Sequence, residues 1–129
     1  MSVLVMLPKG LRIGDDVYND AELRELTAAD IFAAQEAAEK LVYTPSKDGQ
    51  LEPGMVTSPA RFGQELLRRQ VVRIGDVQAK DISADVFGRL HSLDLAALEK
   101  AAHDLEQAAI KAVERASERG RSDAVGTAT

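Results

Sequence analysis

Cysteine and tryptophan are absent from this 129-residue chain, which also holds only two tyrosines, three phenylalanines and four prolines. Without cysteine there is no disulfide scaffold, no thiolate zinc site, no iron–sulfur cluster and no cysteine nucleophile. With so few aromatics the core must come from Leu, Val, Ile and Ala. The 20 alanines bury little area per helical turn, so at about 25 cal/mol per Å² the isolated chain is expected to be modestly stable and open to help from self-association or a partner. Basic charge is also short: 16 Lys and Arg stand against 21 Asp and Glu, a formal charge of -5, which argues against generic binding to nucleic acid or to anionic membrane. Long apolar runs are missing too. The N-terminal run Val3 to Leu7 is closed by Pro8, and nowhere do enough apolar residues follow one another to span a bilayer. The chain reads as one soluble, cytoplasmic domain without a membrane partner.

What is there predicts an α+β fold: a small N-terminal β-hairpin or meander packed on three to four helices, the last of them long. Ser2 to Leu7 is strand chemistry, ended by the turn residues Pro8-Lys9-Gly10. Gly14-Asp15 has the Gly-X order of a two-residue type II′ turn, followed by partial alternation from Tyr18 to Leu26. Thr27 and Asp30 have the spacing of a capping box, and Ile31, Ala34, Ala38 and Leu41 continue it as a helical stripe ending near Tyr43. Three of the four prolines lie between Thr44 and Pro59, predicting a loop insertion over 44–59.

Ser58-Pro59 starts a second helix carrying Phe62, Leu66, Leu67, Val71 and Ile74 until Gly75-Asp76 stops it. Ser83 caps a short helix, and Leu93-Asp94 restarts a longer one of about 20 residues. From Ser117 the apolar period is lost, so the single domain is expected to span 1–116, with 117–129 a disordered tail. The triplets Ile13-Gly14-Asp15 and Ile74-Gly75-Asp76 echo one another, but as a turn between strands and as the end of a helix they predict different structures.

No constellation for catalysis emerges. GxSxG, GxxxxGKS/T and GxGxxG patterns are all absent, and no carboxylate pair sits beside a nucleophile. His91 and His103 are twelve residues apart and cannot form an i, i+4 metal pair. His91 at a helix joint is expected to bond a free carbonyl, and His103 to sit on a polar flank. Asp15, Asp16, Asp20 and Glu22 form the densest acidic cluster, yet lack the ligand spacing of a calcium loop. Arg61, Arg68, Arg69 and Arg73 give the second helix a basic side without interleaved aromatics, which reads as a solvated face rather than a nucleic-acid site. Neither an enzyme, a metal nor a cofactor is expected. The surface that stands out is the last helix, where Leu95, Leu98, Ala102, Leu105, Ala109 and Val113 extend an apolar stripe beyond what one small domain must bury. Those residues are the candidate partner-binding set, as a docking surface for a helix or a second copy.

Two stretches of the chain together resemble the tail assembly chaperones of long-tailed phages and prophages, the family of Mu gp41-like and P2 gpE-like proteins. The first is Leu7-Pro8, then Gly14, then Leu23-Arg24-Glu25-Leu26-Thr27-Ala28-Ala29-Asp30-Ile31. The second runs from Leu66 to Leu98, with Ile82-Ser83-Ala84-Asp85-Val86 and Leu90-x-x-Leu93-Asp94-x-x-x-Leu98. The 44–59 insertion and the alanine-rich helix beyond Leu105 depart from the family pattern. The resemblance implies a non-catalytic protein that binds the tape measure protein and keeps it soluble in the cytoplasm of the bacterial host during tail tube polymerisation. It also implies absence from the mature virion and a longer frameshift product of the same gene as a second partner. The rival expectation is a small structural or tail-completion protein retained in the virion.

Overall fold

Val5 and Leu7 are buried while Leu4 and Met6, which alternate with them, are exposed, the period-two pattern of a strand with one wet face. In this computed structural model, which describes the backbone of residues 1–127 and the side chains of residues 1–120, that strand (β1, Ser2–Ile13) does not stop at Pro8 as expected. Its pairing slips between Met6 and Leu11, and Gly10 takes a φ of 82°. Pro8 therefore falls in a bulge of an edge strand, where a missing N–H costs the ladder nothing. β1 pairs antiparallel with β2 (Asp16–Arg24) through Gly14-Asp15. Gly14 has a φ of 65° and Asp15 is not among the positive-φ residues, which is the type II′ turn the sequence predicts.

The chain then leaves the sheet. Helix α1 (Ala28–Ala38) begins at the expected capping box, Thr27 and Asp30 bonding each other's main-chain N–H groups. It ends before Tyr43, because Glu39 turns extended and opens β3 (Glu39–Pro45), paired antiparallel with β4 (Leu51–Thr57). The predicted 44–59 loop is thus largely half of a two-stranded ribbon. Leu41-Val42-Tyr43-Thr44 has high strand propensity, and in an isolated ribbon both strands are edges, so Pro45 and Pro53 are tolerated there.

Helix α2 (Pro59–Gln70) carries Ser58 as N-cap and Pro59 in its first turn, as predicted, but yields at Val71 to β5 (Val71–Ile74). The β-branched pair Val71-Val72 re-enters the sheet beside β2, where ladder bonds and burial outweigh one more helical turn. Gly75-Asp76 then turns β5 into β6 (Val77–Gln78). Both Ile-Gly-Asp triplets therefore serve one purpose. Each ends a strand and places a positive-φ glycine, at 65° and 56°, in a two-residue hairpin turn. The sheet order is β1-β2-β5-β6, and α1, the ribbon and α2 form an excursion between two neighbouring strands.

A 3-10 turn (Ala79–Asp81) and a single-turn helix α3 (Ala84–Phe87), capped by Ser83, lead to α4 (Ser92–Thr127). Helix α4 crosses one face of the sheet and completes a core of Val5, Leu7, Leu11, Ala21, Leu23, Val71, Ile74, Ile82, Phe87, Leu98 and Leu105. Its 36 residues exceed the predicted length, since the Ala, Glu and Arg content of the segment favours helix without help from packing. The helical backbone continues through Ser117 to Thr127, and the last two residues of the expected tail lie outside the described residues.

Candidate partner-docking surface

The ends of the sheet and helices are locked by two motifs picked out in the sequence. Arg24 at the end of β2 grips both carboxylate oxygens of Asp30 at 2.7 and 2.9 Å, and also donates to the main-chain oxygens of Glu25 and Arg69. The Arg24 guanidinium holds the Asp30 carboxyl well below the usual carboxylate range. Burial opposes that shift, while the bonds from Thr27 reinforce it. In turn, the hydrogen bond from Arg24 to Asp30 raises the guanidinium's own value. One fork thus fixes the start of α1 against the end of α2. At the other motif, Asp94 in the first turn of α4 is fully buried and accepts from the Lys9 N–H at 2.8 Å.

These anchors set α2 and α4 side by side with a groove between them. It measures about 770 Å³ and runs from Leu26 and Pro59 past Gly63, Leu66 and Leu67 on α2 to Leu95, Glu99, Ala102, His103 and Glu106 on α4, with Phe87 and Leu90 at one side. Its α4 wall follows the i, i+4, i+7, i+8, i+11 positions of one helix face. The floor is apolar, and Glu99 and Glu106 put negative charge on the rim. Gly63 sits in the interior of α2, where a Cβ would meet nothing within 4 Å. The absence of a side chain there leaves the α2 wall open to a close approach.

The sequence-predicted binding set is divided by the fold. Leu98 and Leu105 are buried in the core, so they hold α4 to the sheet rather than present a free surface. Leu95 and Ala102 line the groove. Ala109 is half-buried, and Val113 stands in solvent further along α4. The residues that sequence reasoning missed are those of α2, chiefly Gly63 and Leu66. Their signal was a glycine inside an otherwise sound helical pattern.

The remaining candidates are taken up by local structure. His91 is a cap, but of the opposite sense to the expectation: its Nδ1 accepts from the Leu93 N–H at 3.1 Å, at the N-terminus of α4 where free donors, not carbonyls, need partners. His103 is exposed on the groove rim. Arg68 and Arg69 both pair with the buried Glu65, at 2.6 and 3.4 Å. Arg73 lies on β5 and pairs with Asp20 and Glu22. Of the basic side only Arg61 points free into solvent among the four, and of the acidic cluster only Asp15 and Asp16 remain outside these ion pairs. Tyr18, beside them, has its phenol pushed up by burial first and then by Asp16 and Asp76. Among the described residues no group of three or more His, Asp or Glu converges on a metal-sized site, and no helix is long and apolar enough to cross a membrane.

Comparison with known proteins gives a consistent result. The family model for tail assembly protein gp41 matches residues 7–121. The Mu-like prophage FluMu protein gp41 of Haemophilus influenzae is 37% identical over 119 residues, covering 92% of this chain and 87% of that protein. Two proteins of Escherichia phage Mu, described as probable tail assembly protein gp41 and probable tail assembly protein FS-gp41, are each 43% identical over 91 residues, or 65% of this chain. Those matches span 60% of the first and 46% of the second. No solved structure matches the chain.

Proposed function

The chain belongs to the tail assembly protein gp41 family, and from that premise we propose that it is a non-catalytic chaperone that binds the tape measure protein in the α2–α4 groove. The role in phage tail assembly comes with the family. The groove is the observation that carries the finer reading. A tape measure is a long chain with apolar helical repeats, and such repeats self-associate unless they are covered. An apolar channel between two helices with an acidic rim suits an amphipathic helix with basic flanks, by helix-in-groove packing against Leu66 on one wall and Leu95 and Ala102 on the other.

Release needs no nucleotide. Tube subunits that compete for the same tape measure surface displace the chaperone, which acts in the cytoplasm of the bacterial host and leaves no copy in the virion. A longer frameshift form of the same protein is a second partner. Two phage Mu relatives of unequal length that match this chain over equally long stretches at equal identity are what two products sharing one segment would give.

The test is co-expression with the tape measure protein of the same phage genome. A soluble tape measure that co-purifies with many copies of this chain is the expected result. A tape measure that stays insoluble with and without the longer form, or purified virions that contain this chain, would overturn the reading, the latter in favour of a structural tail protein.

A further inference from the structure

The β3–β4 ribbon stands off the helices it joins, with none of its residues buried. Hydrogen bonds fix its parity. Ser58 N–H donates to the Ala38 oxygen at 3.0 Å and Ser46 N–H to the Gln50 oxygen at 2.7 Å. Positions 40, 42 and 44 of β3 therefore bond inward to β4, while positions 39, 41, 43 and 45 turn their main-chain groups outward. Direct partners share a face, and the odd set pairs Leu41 with Met55, Tyr43 with Pro53 and Pro45 with Leu51. Six apolar side chains thus cover one face of the ribbon. Leu41, Tyr43, Leu51 and Met55 are exposed by 52%, 60%, 65% and 59%, and with the two prolines the face offers about 600 Å² of apolar surface, the upper end for the largest patch on a monomer.

We propose that this face is the contact between two copies of the chain, ribbon packed on ribbon about a twofold axis. Complete cover of two such faces would remove at most about 1,200 Å² from water, the area at which stable interfaces begin. Charge does not oppose it: the segment from Glu39 to Thr57 holds two lysines against three acids, so little of the chain's net negative charge is brought together. The prolines select the geometry. Pro45 and Pro53 both occupy outward-bonding positions, so each removes a donor from a free edge and disfavours edge-to-edge pairing. What remains is stacking of the apolar faces at the usual sheet spacing of about 10 Å. An isologous twofold contact presents the same six residues from each side. The surface is separate from the α2–α4 groove, so a dimer would offer two grooves to successive repeats of one partner.

Sedimentation equilibrium of the full chain across a concentration series tests this. A reversible dimer is expected, with its dissociation constant raised roughly tenfold or more in Leu41→Asp and Tyr43→Asp, since each would bury a charge. Circular dichroism should be unchanged in both, because neither side chain enters the core. A second measurement does not depend on those variants. In a chain without cysteine, Met55→Cys treated with a short bis-maleimide should give a covalent dimer, and Lys100→Cys on α4 should not. A monomer at every concentration, or a dimer that survives Tyr43→Asp and fails to cross-link through Met55→Cys, would overturn the proposal. So would a monomer whose Tyr43→Asp variant loses the tape measure, which would make the ribbon a partner surface.

Discussion

The carboxylate of Asp94, fully buried in the first turn of α4, accepts a hydrogen bond from the main-chain N–H of Lys9 inside the bulge of β1, 85 residues away in sequence. The bulge leaves that N–H without a ladder partner, and the N-terminal turn of a helix favours an acid. One side chain answers both. Its second oxygen is buried with no hydrogen-bond partner, so the bond to Lys9 rests on one oxygen alone. Asp94→Ala should cost about 1–3 kcal/mol in urea unfolding by leaving a donor unmet. Asp94→Asn keeps the acceptor and should lose less. Equal losses would mean that charge at the helix end, not the bond to Lys9, is what the position supplies.

Asp30 makes stability depend on pH in a known direction. Its folded pKa lies below the ordinary carboxylate value of 3.8, chiefly through Arg24. A depressed folded pKa contributes stability that is complete above the unfolded value and is lost as pH falls toward the folded one. Asp30→Asn should therefore be less stable than the parent by about 1–3 kcal/mol near neutrality, combining a weakened cap with a lost charged bond. The gap should narrow as pH drops below about 4. A gap that stays constant from neutral to acid pH would show that the Arg24 fork contributes nothing through charge.

The two hairpin glycines should respond unequally. An added Cβ at Gly14 meets nothing within 4 Å, whereas at Gly75 it would overlap the ring of Tyr18. Gly14→Ala carries only the left-handed strain, about 1 kcal/mol. Gly75→Ala adds the displacement of an aromatic ring to that strain, so about 2–4 kcal/mol is expected. Thermal unfolding of the pair compares them directly, and equal effects would place Tyr18 elsewhere in solution.

Caps and turns were legible in the sequence because they are local. Thr27 with Asp30, Ser58 with Pro59, Ser83, and Gly14 with Asp15 all act within four residues. What was not legible depends on partners far along the chain. Val71 to Ile74 continues a helical stripe in the sequence, and only the free edge of β2 makes it a strand. Leu41 fits the stripe of α1 equally well, yet the ribbon takes it. Leu98 and Leu105 read as surplus apolar surface until the sheet is placed beneath them. The echo of Ile13-Gly14-Asp15 in Ile74-Gly75-Asp76 was visible, but its meaning required knowing that the second copy also ends a strand.

Gly63 links the fold to the proposed activity. A glycine in a helix interior costs about 0.5–1 kcal/mol relative to alanine, and at position 63 no neighbour occupies the space a side chain would take. Nothing within the chain therefore requires glycine there. Gly63→Ala should raise stability by that amount, and Gly63→Leu should fold as well as the parent, since it projects into the groove and not into the core. If a helix of the tape measure lies against α2, its approach is limited by whatever stands at position 63. Gly63→Leu should then recover far less tape measure in co-purification, with Gly63→Ala between it and the parent. Leu95→Asp on the opposite wall should act in the same direction. Undiminished recovery by a folded Gly63→Leu variant would move the binding site off this groove, whatever its effect on stability.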